Sequence, residues 1–152
     1  MTFTVYGTPI PQGSTKAFTP KGWKRPVLTS DNARLKSWRQ LVAEAAHLAL
    51  LAQPAAERQL LLDAVTLTIA FALPRPLSLP KRITAHTRKP DIDKLVRAVA
   101  DAVTGILFRD DAQIVQLTAT KCYAPLLSPP FVTITVAPAA GNTFVQKGDV
   151  AC

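Results

Sequence analysis

Short stretches of the chain are either rich in β-branched residues or alternate between apolar and polar side chains, and both patterns predict β-strands. The predicted strands are Thr2–Tyr6, Asp63–Leu73, Gln113–Tyr123 and Phe131–Val136. Residues Ala17–Thr29 predict a hairpin, because Pro20–Gly22 supplies turn residues between two short apolar stretches.

Two further stretches repeat apolar residues every three or four positions, which predicts amphipathic helices. The first runs from an N-cap at Ser30 or Asp31 to Leu51, ahead of Pro54. Its predicted apolar side consists of Leu35, Trp38, Leu41, Val42, Ala45 and Leu48. The second covers Asp91–Phe108, with Leu95, Val99, Val103 and Ile106 on one face.

The order of these elements is β, hairpin, α, β, α, β, β, which predicts a small single α+β domain with two main helices packed on one side of a mixed β-sheet. We expect residues 1–137 to form this domain and residues 138–152 to form a flexible C-terminal tail. A chain of 152 residues with 48% hydrophobic residues is long enough to bury one core.

Composition narrows the class of protein. Mean hydropathy is +0.16, but no apolar run approaches the roughly 20 residues of a membrane helix, and no signal peptide is recognisable. The only cysteines, Cys122 and Cys152, provide neither a disulfide framework nor a zinc-ligand spacing. We therefore expect a cytoplasmic protein with reduced thiols.

The net charge of +8 suggests a polyanionic partner, usually nucleic acid. Lys and Arg greatly outnumber Asp and Glu in residues 1–90, whereas residues 91–152 are slightly acidic. Residues 74–90 contain several prolines and cations and predict a long functional loop. The cations expected to bind nucleic acid are Lys16, Lys21, Lys24, Arg25, Arg75, Lys81, Arg82, Arg88, Lys89 and Lys94.

The acidic residues of the second half bracket the second predicted helix. Asp91 and Asp93 lie at its start, where capping and the helix dipole favour carboxylates, so a structural role is the simpler interpretation for that pair. Asp110 and Asp111 follow its end, where the dipole disfavours them. They are either solvated or paired with a cation, such as Arg109 or a divalent metal. Mg²⁺ prefers carboxylate oxygens and can activate water for attack on a phosphodiester.

The stretch Lys89–Ile114, KPDIDKLVRAVADAVTGILFRDDAQI, carries a more specific signal. It resembles the signature of the RusA-type Holliday junction resolvases, which reads D-x-D-N-L-x-K, then D-A-L-x-G, then D-D-x-Q-[IV]. The matching positions are Asp91, Asp93, Leu95, Asp101, Gly105, Asp110, Asp111, Gln113 and Ile114.

This resemblance implies a homodimeric endodeoxyribonuclease that depends on Mg²⁺, with Mn²⁺ as a substitute, and cuts branched DNA (four-way junctions) symmetrically. It assigns catalysis and metal binding to Asp91, Asp93 and Asp111, with Asp110 beside them. Two positions depart from the signature, since Lys94 replaces the usual Asn and Arg97 the usual Lys. Arg97 is either an active-site cation or an i,i+4 partner of Asp93, and the two interpretations carry equal weight.

A helix from Asp91 to about Leu107 would be about 24 Å long, so one chain cannot bring Asp91 and Asp111 to a shared ion. We expect two chains to pair this helix antiparallel, so that Asp111 completes the partner's site. The face of Leu95, Val99, Val103 and Ile106 would then contribute to the interface, unless it is ordinary core.

Two other functions stay open at this point. One is a basic DNA-binding protein without nuclease activity, whose acids only cap helices. The other is a metal-dependent nuclease for flaps, forks or RNA, which would use the same chemistry.

Overall fold

The secondary structure follows the predicted order closely. A computed structural model describes residues 1–13, 16–18, 22, 27–29 and 33–140. The strands are β1 (Thr2–Tyr6), β2 (Lys16–Phe18), β3 (Val27–Thr29), β4 (Val65–Leu73), β5 (Ile114–Tyr123) and β6 (Phe131–Pro138). The helices are α1 (Ala33–Leu51) and α2 (Ile92–Val103), with short 3₁₀ turns at Ala55–Glu57 and Asp111–Gln113. The N-cap predicted at Ser30 or Asp31 lies outside the described residues.

The main sheet is mixed, as predicted, with four strands in the order β1-β6-β4-β5. Strands β4 and β5 are parallel, and the other two pairings are antiparallel. Because parallel neighbours need a long crossover connection, residues 74–113 form one, and this connection contains α2. The predicted hairpin is confirmed as a separate antiparallel pair of β2 and β3.

One face of this sheet carries the hydrophobic core. Alternate residues of β4 and β6 are fully buried, including Leu67, Ile69 and Ile134. Both helices cover this face, with Val42 of α1 and Val99 of α2 completely inaccessible to solvent. The prediction of an α+β domain with two helices on one side of a mixed sheet is therefore confirmed.

The opposite face of the sheet is open and uncharged. Its cross-strand rows consist largely of threonines, with Thr2 beside Thr135, Thr135 beside Thr68, and Thr68 beside Thr118. These positions provide no positive charge, so phosphate-binding residues must lie elsewhere. Among the described helices, none combines the length and apolar content needed to cross a bilayer.

Helix α2 ends at Val103, five positions earlier than predicted. Gly105 has a φ of +78° and donates its backbone N–H to Phe108 O at 2.7 Å, so residues 104–108 form a tight turn. A glycine in this conformation is a common helix terminator. The turn places Leu107 and Phe108 in the core.

The apolar faces of the helices were only partly predicted. Leu41 and Leu48 of α1 are 41% and 68% exposed, since the buried stripe runs through Leu35, Trp38, Val42 and Ala46. On α2, Leu95, Val99 and Val103 are at most 1% exposed. These three residues are therefore ordinary core, the second of the two roles expected for this face, whereas Ile106 is only partly buried.

The chain stays paired slightly beyond the predicted domain end at residue 137. Strand β6 extends to Pro138, and Ala139 donates its backbone N–H to Ala64 O at 2.8 Å. Residues 141–152, which contain most of the predicted tail, lie outside the described part of the chain.

The core role of the α2 face generates a stability prediction. We expect Leu95→Ala to lower the free energy of unfolding by about 2–5 kcal/mol, because it opens a cavity under the sheet. Leu48→Ala on exposed α1 surface is the control, and should change it by no more than about 0.5 kcal/mol. Urea denaturation measures both. A Leu95→Ala loss that grew as protein concentration fell would instead indicate an interface between chains.

Candidate active site

The first acidic pair lies at the N-terminus of α2, where its carboxylates are free for another task. Asp91 occupies the N-cap position with an extended backbone, but its side chain accepts no capping hydrogen bond. Its nearest charged neighbour is Lys94, whose Nζ lies 3.6 Å from Asp91 Oδ2, and both side chains are about half exposed. The capping role, which seemed the simpler interpretation, is therefore absent at Asp91.

Asp93 follows in the first turn of α2 and is exposed. Within the part of the chain that the structure describes, no ion pair joins Asp93 to Arg97. Arg97 is exposed on the same helix. Both side chains are thus accessible to solvent, and of the two interpretations of Arg97, the i,i+4 pair is absent among the described residues.

In the second acidic pair, Asp110 has a structural role whereas Asp111 is exposed. Asp110 caps the 3₁₀ turn, since its Oδ1 accepts the Ala112 N–H at 2.9 Å. Gln113 Oε1 accepts the Asp110 N–H in return, and Gln113 Nε2 donates to Asp63 O at 2.8 Å. Together these bonds fix the turn against the start of β4. Asp111 remains exposed immediately before β5, and no described residue makes a side-chain hydrogen bond or ion pair with it.

A lysine that sequence reasoning missed connects β5 to the first acidic pair. Lys121 Nζ donates to Arg88 O at 2.9 Å and to Pro90 O at 2.8 Å, which ties the residues before Asp91 to the end of β5. The signal was present in the sequence, because alternation along β5 puts Lys121 on the buried face with Leu117 and Tyr123. A lysine at an inward position of a strand calls for a polar partner.

The predicted basic loop is organised by Arg75, one of the cations expected to bind phosphate, whose guanidinium contacts the loop itself. Its guanidinium donates to the carbonyls of Ala124, Pro80 and Ile83 at 2.7–3.3 Å. It also lies 5.5 Å from the ring centre of Tyr123, the distance of a cation–π contact. Arg75 therefore holds the loop onto the end of the sheet.

His86 also packs against Tyr123, with the two ring centres 4.4 Å apart. The histidine and Arg75 thus both contact the same aromatic ring. This packing gives the loop a defined shape.

The remaining predicted DNA-binding cations fall into two groups. Lys81, Arg82, Arg88 and Lys89 are exposed along the loop, and the last two immediately precede Pro90 and Asp91. Lys16 belongs to β2, while Lys21, Lys24 and Arg25 lie outside the described residues. Near the first acidic pair, the structure therefore places the exposed cations Arg88, Lys89 and Arg97, and the half-exposed Lys94 that pairs with Asp91.

Asp101, the motif acid in the middle of α2, is structural. It forms an ion pair with Arg39 of α1, and Arg39 also donates to the side chain of Gln12. The backbone N–H of Gln12 donates to Lys94 O at 2.9 Å, so the N-terminal loop is fixed to the start of α2.

A complete metal site does not form from the residues described in one chain. No three Asp, Glu, His or Cys side chains among them converge in a group suited to a metal ion. What the chain offers is a pair of accessible carboxylates at the start of α2 and another accessible carboxylate before β5.

Accessible carboxylates next to exposed cations, on a compact α+β scaffold, are typical of a protein that acts on nucleic-acid phosphates. The chain matches the family Endodeoxyribonuclease RusA over residues 7–136, which is nearly the whole folded part. The protein belongs to this family. A similar protein is YqaN of Bacillus subtilis (strain 168), described as uncharacterized, which is 30% identical over 132 residues that cover 80% of this chain and 87% of YqaN.

The role of Arg75 can be tested by its removal. We expect Arg75→Ala to lower the free energy of unfolding by about 1–3 kcal/mol and to increase proteolytic cleavage within residues 76–89, because three carbonyls and one aromatic face lose their partner. Arg82→Ala, on the same loop and exposed, should leave both readouts near wild type. Unchanged stability combined with weaker DNA binding would instead assign Arg75 to phosphate contact.

Proposed function

We propose that this protein is a divalent-metal-dependent endodeoxyribonuclease that resolves Holliday junctions by symmetric paired cuts, in DNA recombination and repair. Membership of the RusA family supports the nuclease class. The observation that carries the proposal is the pair Asp91 and Asp93, which stand at the motif positions, accessible and without a capping role.

The donor set fits a hard divalent cation. Carboxylate oxygens are the ligands that Mg²⁺ prefers, and Mn²⁺ accepts the same ligands. Asp91 and Asp93 would hold the ion, and Lys94 is bound to Asp91 only by an exposed pair at 3.6 Å, which stabilises the site little and yields easily to a metal. Asp111 would supply the further carboxylate, and Asp110 would orient it by capping the turn.

Within one chain, however, these carboxylates lie at opposite ends of β5. Lys121 holds the residues before Asp91 at the C-terminal end of that strand, whereas Asp111 lies just before its first residue, Ile114. From Ile114 to Lys121 the strand extends over about 23 Å at about 3.3 Å per residue. A shared ion needs ligands within a few ångströms.

We infer that a second copy of the chain closes this gap through the free edge of β5. This strand is last in the sheet, and among the described residues only its C-terminal end is paired on the outer side, where Ala85 bridges Cys122. Leu117, on the core-facing side, is 51% exposed, and Val115 is 64% exposed. An unprotected apolar edge strand is a ready template for pairing with another strand.

Antiparallel pairing of two β5 strands about a two-fold axis near Leu117 would set the start of each strand beside the end of the other. The partner subunit's Asp111 would then approach Asp91 and Asp93 of the first chain. Such an isologous dimer has two equivalent sites, which suits two symmetric cuts.

The side chains around this site have separate tasks in the reaction. Arg88 and Lys89 bind the phosphates of the strand to be cut, independently of base sequence. Arg97, exposed one helical turn beyond Asp93, stabilises negative charge that develops on the phosphodiester. A divalent cation held by Asp91, Asp93 and a further carboxylate would supply activation of water and neutralisation of phosphate charge.

The role of the acids predicts a separation of binding from cutting. We expect Asp91→Asn, Asp93→Asn and Asp111→Asn each to slow junction cleavage by about 10²–10³-fold or more, the loss typical of removing one electrostatic contact to the transition state. Binding of a four-way junction without divalent metal should be unchanged or tighter, because a negative charge is removed. Gel assays with a junction, a fork and a plain duplex, with Mg²⁺ or chelator, provide the measurement.

Asp63→Asn, exposed and outside the motif, is the matched control and should cut normally. Binding lost in parallel with cutting would assign the acids a structural role. Cleavage that persists in chelator would refute metal dependence, and equal cleavage of all three substrates would refute junction specificity.

The composite site predicts recovery of activity by mixing inactive chains. In a mixed dimer of Asp91→Asn and Asp111→Asn chains, one site contains both lesions and the other contains none, so nicking of one strand should return. A mixture of Asp91→Asn and Asp93→Asn should stay inactive, because each site then contains one lesion. Junction nicking after subunit exchange, verified with two differently tagged chains, is the readout. Equal behaviour of the two mixtures would refute the composite site.

A further inference from the structure

A groove next to Asp91 has a composition that the proposed metal chemistry does not explain. It has a volume of about 380 Å³, within the range of small-ligand sites. Its lining consists of Pro9, Pro11, Lys89, Pro90, Asp91 and Lys94. The lining thus combines three prolines with two lysines and one aspartate.

Hydrogen bonds from residues outside the groove hold its lining in place. The N-terminal wall is anchored because Gln12 donates to Lys94 O at 2.9 Å and accepts from Arg39, which Asp101 holds in turn. The opposite wall is anchored because Lys121 donates to Pro90 O at 2.8 Å. A groove with fixed walls loses little entropy when it binds a ligand.

The chemistry of the lining selects one kind of ligand. Proline rings have no N–H to donate, so they offer a rigid apolar surface that contacts a flat ring or a sugar without reading base identity. Lys89 and Lys94 outnumber Asp91, so the groove favours a ligand that also bears negative charge. A nucleotide combines an apolar body with a phosphate.

We propose that this proline-walled groove binds one unstacked nucleotide of the DNA strand, with its base or sugar against the proline rings and its phosphate at Lys94. This inference rests on the proposed function for its choice of DNA. Lys94 can leave Asp91 for the phosphate at small cost, because the pair at 3.6 Å is half exposed.

The groove gives a physical reason for a preference for branched DNA. A base inside the helix has both faces covered by its stacked neighbours, so the nucleotide must leave the stack before its base can lie against the proline rings. Unstacking costs least where pairing is already interrupted, as at a branch point. The groove therefore penalises intact duplex relative to a junction.

An abasic scan of the junction tests whether the groove binds a base. A four-way junction receives a single abasic nucleotide at each position near the branch point in turn, and affinity is measured by fluorescence polarisation in chelator. At one or two positions we expect the missing base to weaken wild-type binding by about fivefold, near the low end for stacking on a side chain. Pro11→Ala should lose a similar amount on the intact junction, and no more when the base is also missing.

Pro125→Ala, an exposed proline away from the groove, is the control and should keep the full abasic effect. Additive losses in Pro11→Ala, or no abasic effect at any position, would overturn the groove assignment. Because chelator prevents cleavage, this binding test does not depend on the nuclease proposal. Non-additive losses in a protein that does not cut DNA would support the groove and refute the nuclease. Cleavage combined with additive losses would support the nuclease and refute the groove.

The phosphate contact is tested separately through the salt dependence of DNA affinity. This measurement uses Lys94→Gln and therefore does not depend on whether Pro11→Ala folds. Lys94→Gln should reduce the slope of log affinity against log salt by about 0.9, the value for one lost phosphate contact. Lys36→Gln, an exposed lysine of α1, should leave the slope unchanged. A wild-type slope in Lys94→Gln would refute the assignment of the phosphate to Lys94.

Discussion

The parallel pairing of β4 with β5 is the constraint on which the arrangement of the acidic residues depends. Parallel neighbours require a crossover connection, and here that connection contains the basic loop, α2 and the 3₁₀ turn. It begins and ends at opposite ends of the two strands. The start of α2, with Asp91, consequently lies by the C-terminal end of β5, where Lys121 holds it, and Asp111 lies by the N-terminal end. A site that uses both acids of one motif would therefore need two chains, and our proposal assigns their contact to the exposed edge of β5.

Several cations of this basic protein bind the protein's own backbone carbonyls or carboxylates. Arg75 binds three loop carbonyls, Lys121 binds two carbonyls before Asp91, and Arg39 binds Asp101. These side chains shape the loop and fix the start of α2, where Asp91 makes no capping hydrogen bond. The exposed cations near the acids that make no such contact among the described residues are Arg88, Lys89 and Arg97, while half-exposed Lys94 pairs with Asp91.

The family signature divides into residues that build the scaffold and residues that the scaffold presents. Leu95 is core, Asp101 pairs with Arg39, and Gly105 ends α2 at a positive φ. Asp110 and Gln113 form the capping box that fixes the turn before β5. Asp91, Asp93, Arg97 and Asp111 have no comparable structural task among the described residues. Lys94, at a position where the signature has Asn, turns its charge toward Asp91 and the proline-walled groove.

The sequence by itself determined the elements, the fold class and the family, because hydrophobic periodicity and the motif spacing are local properties of the chain. It also located the acidic residues on either side of one helix. Tertiary structure decided what each of them does. The pattern of apolar residues on α2 is compatible with either a core face or a dimer interface, and only the burial of these residues in the folded chain showed that they are core. The sequence pattern predicted that Arg75 binds phosphate, and only the folded loop shows that three carbonyls accept hydrogen bonds from its guanidinium. Lys121 and Pro90 are far apart in sequence, and their contact exists only because β5 lies beside β4. Interactions between distant residues depend on strand order and register, which periodicity does not encode.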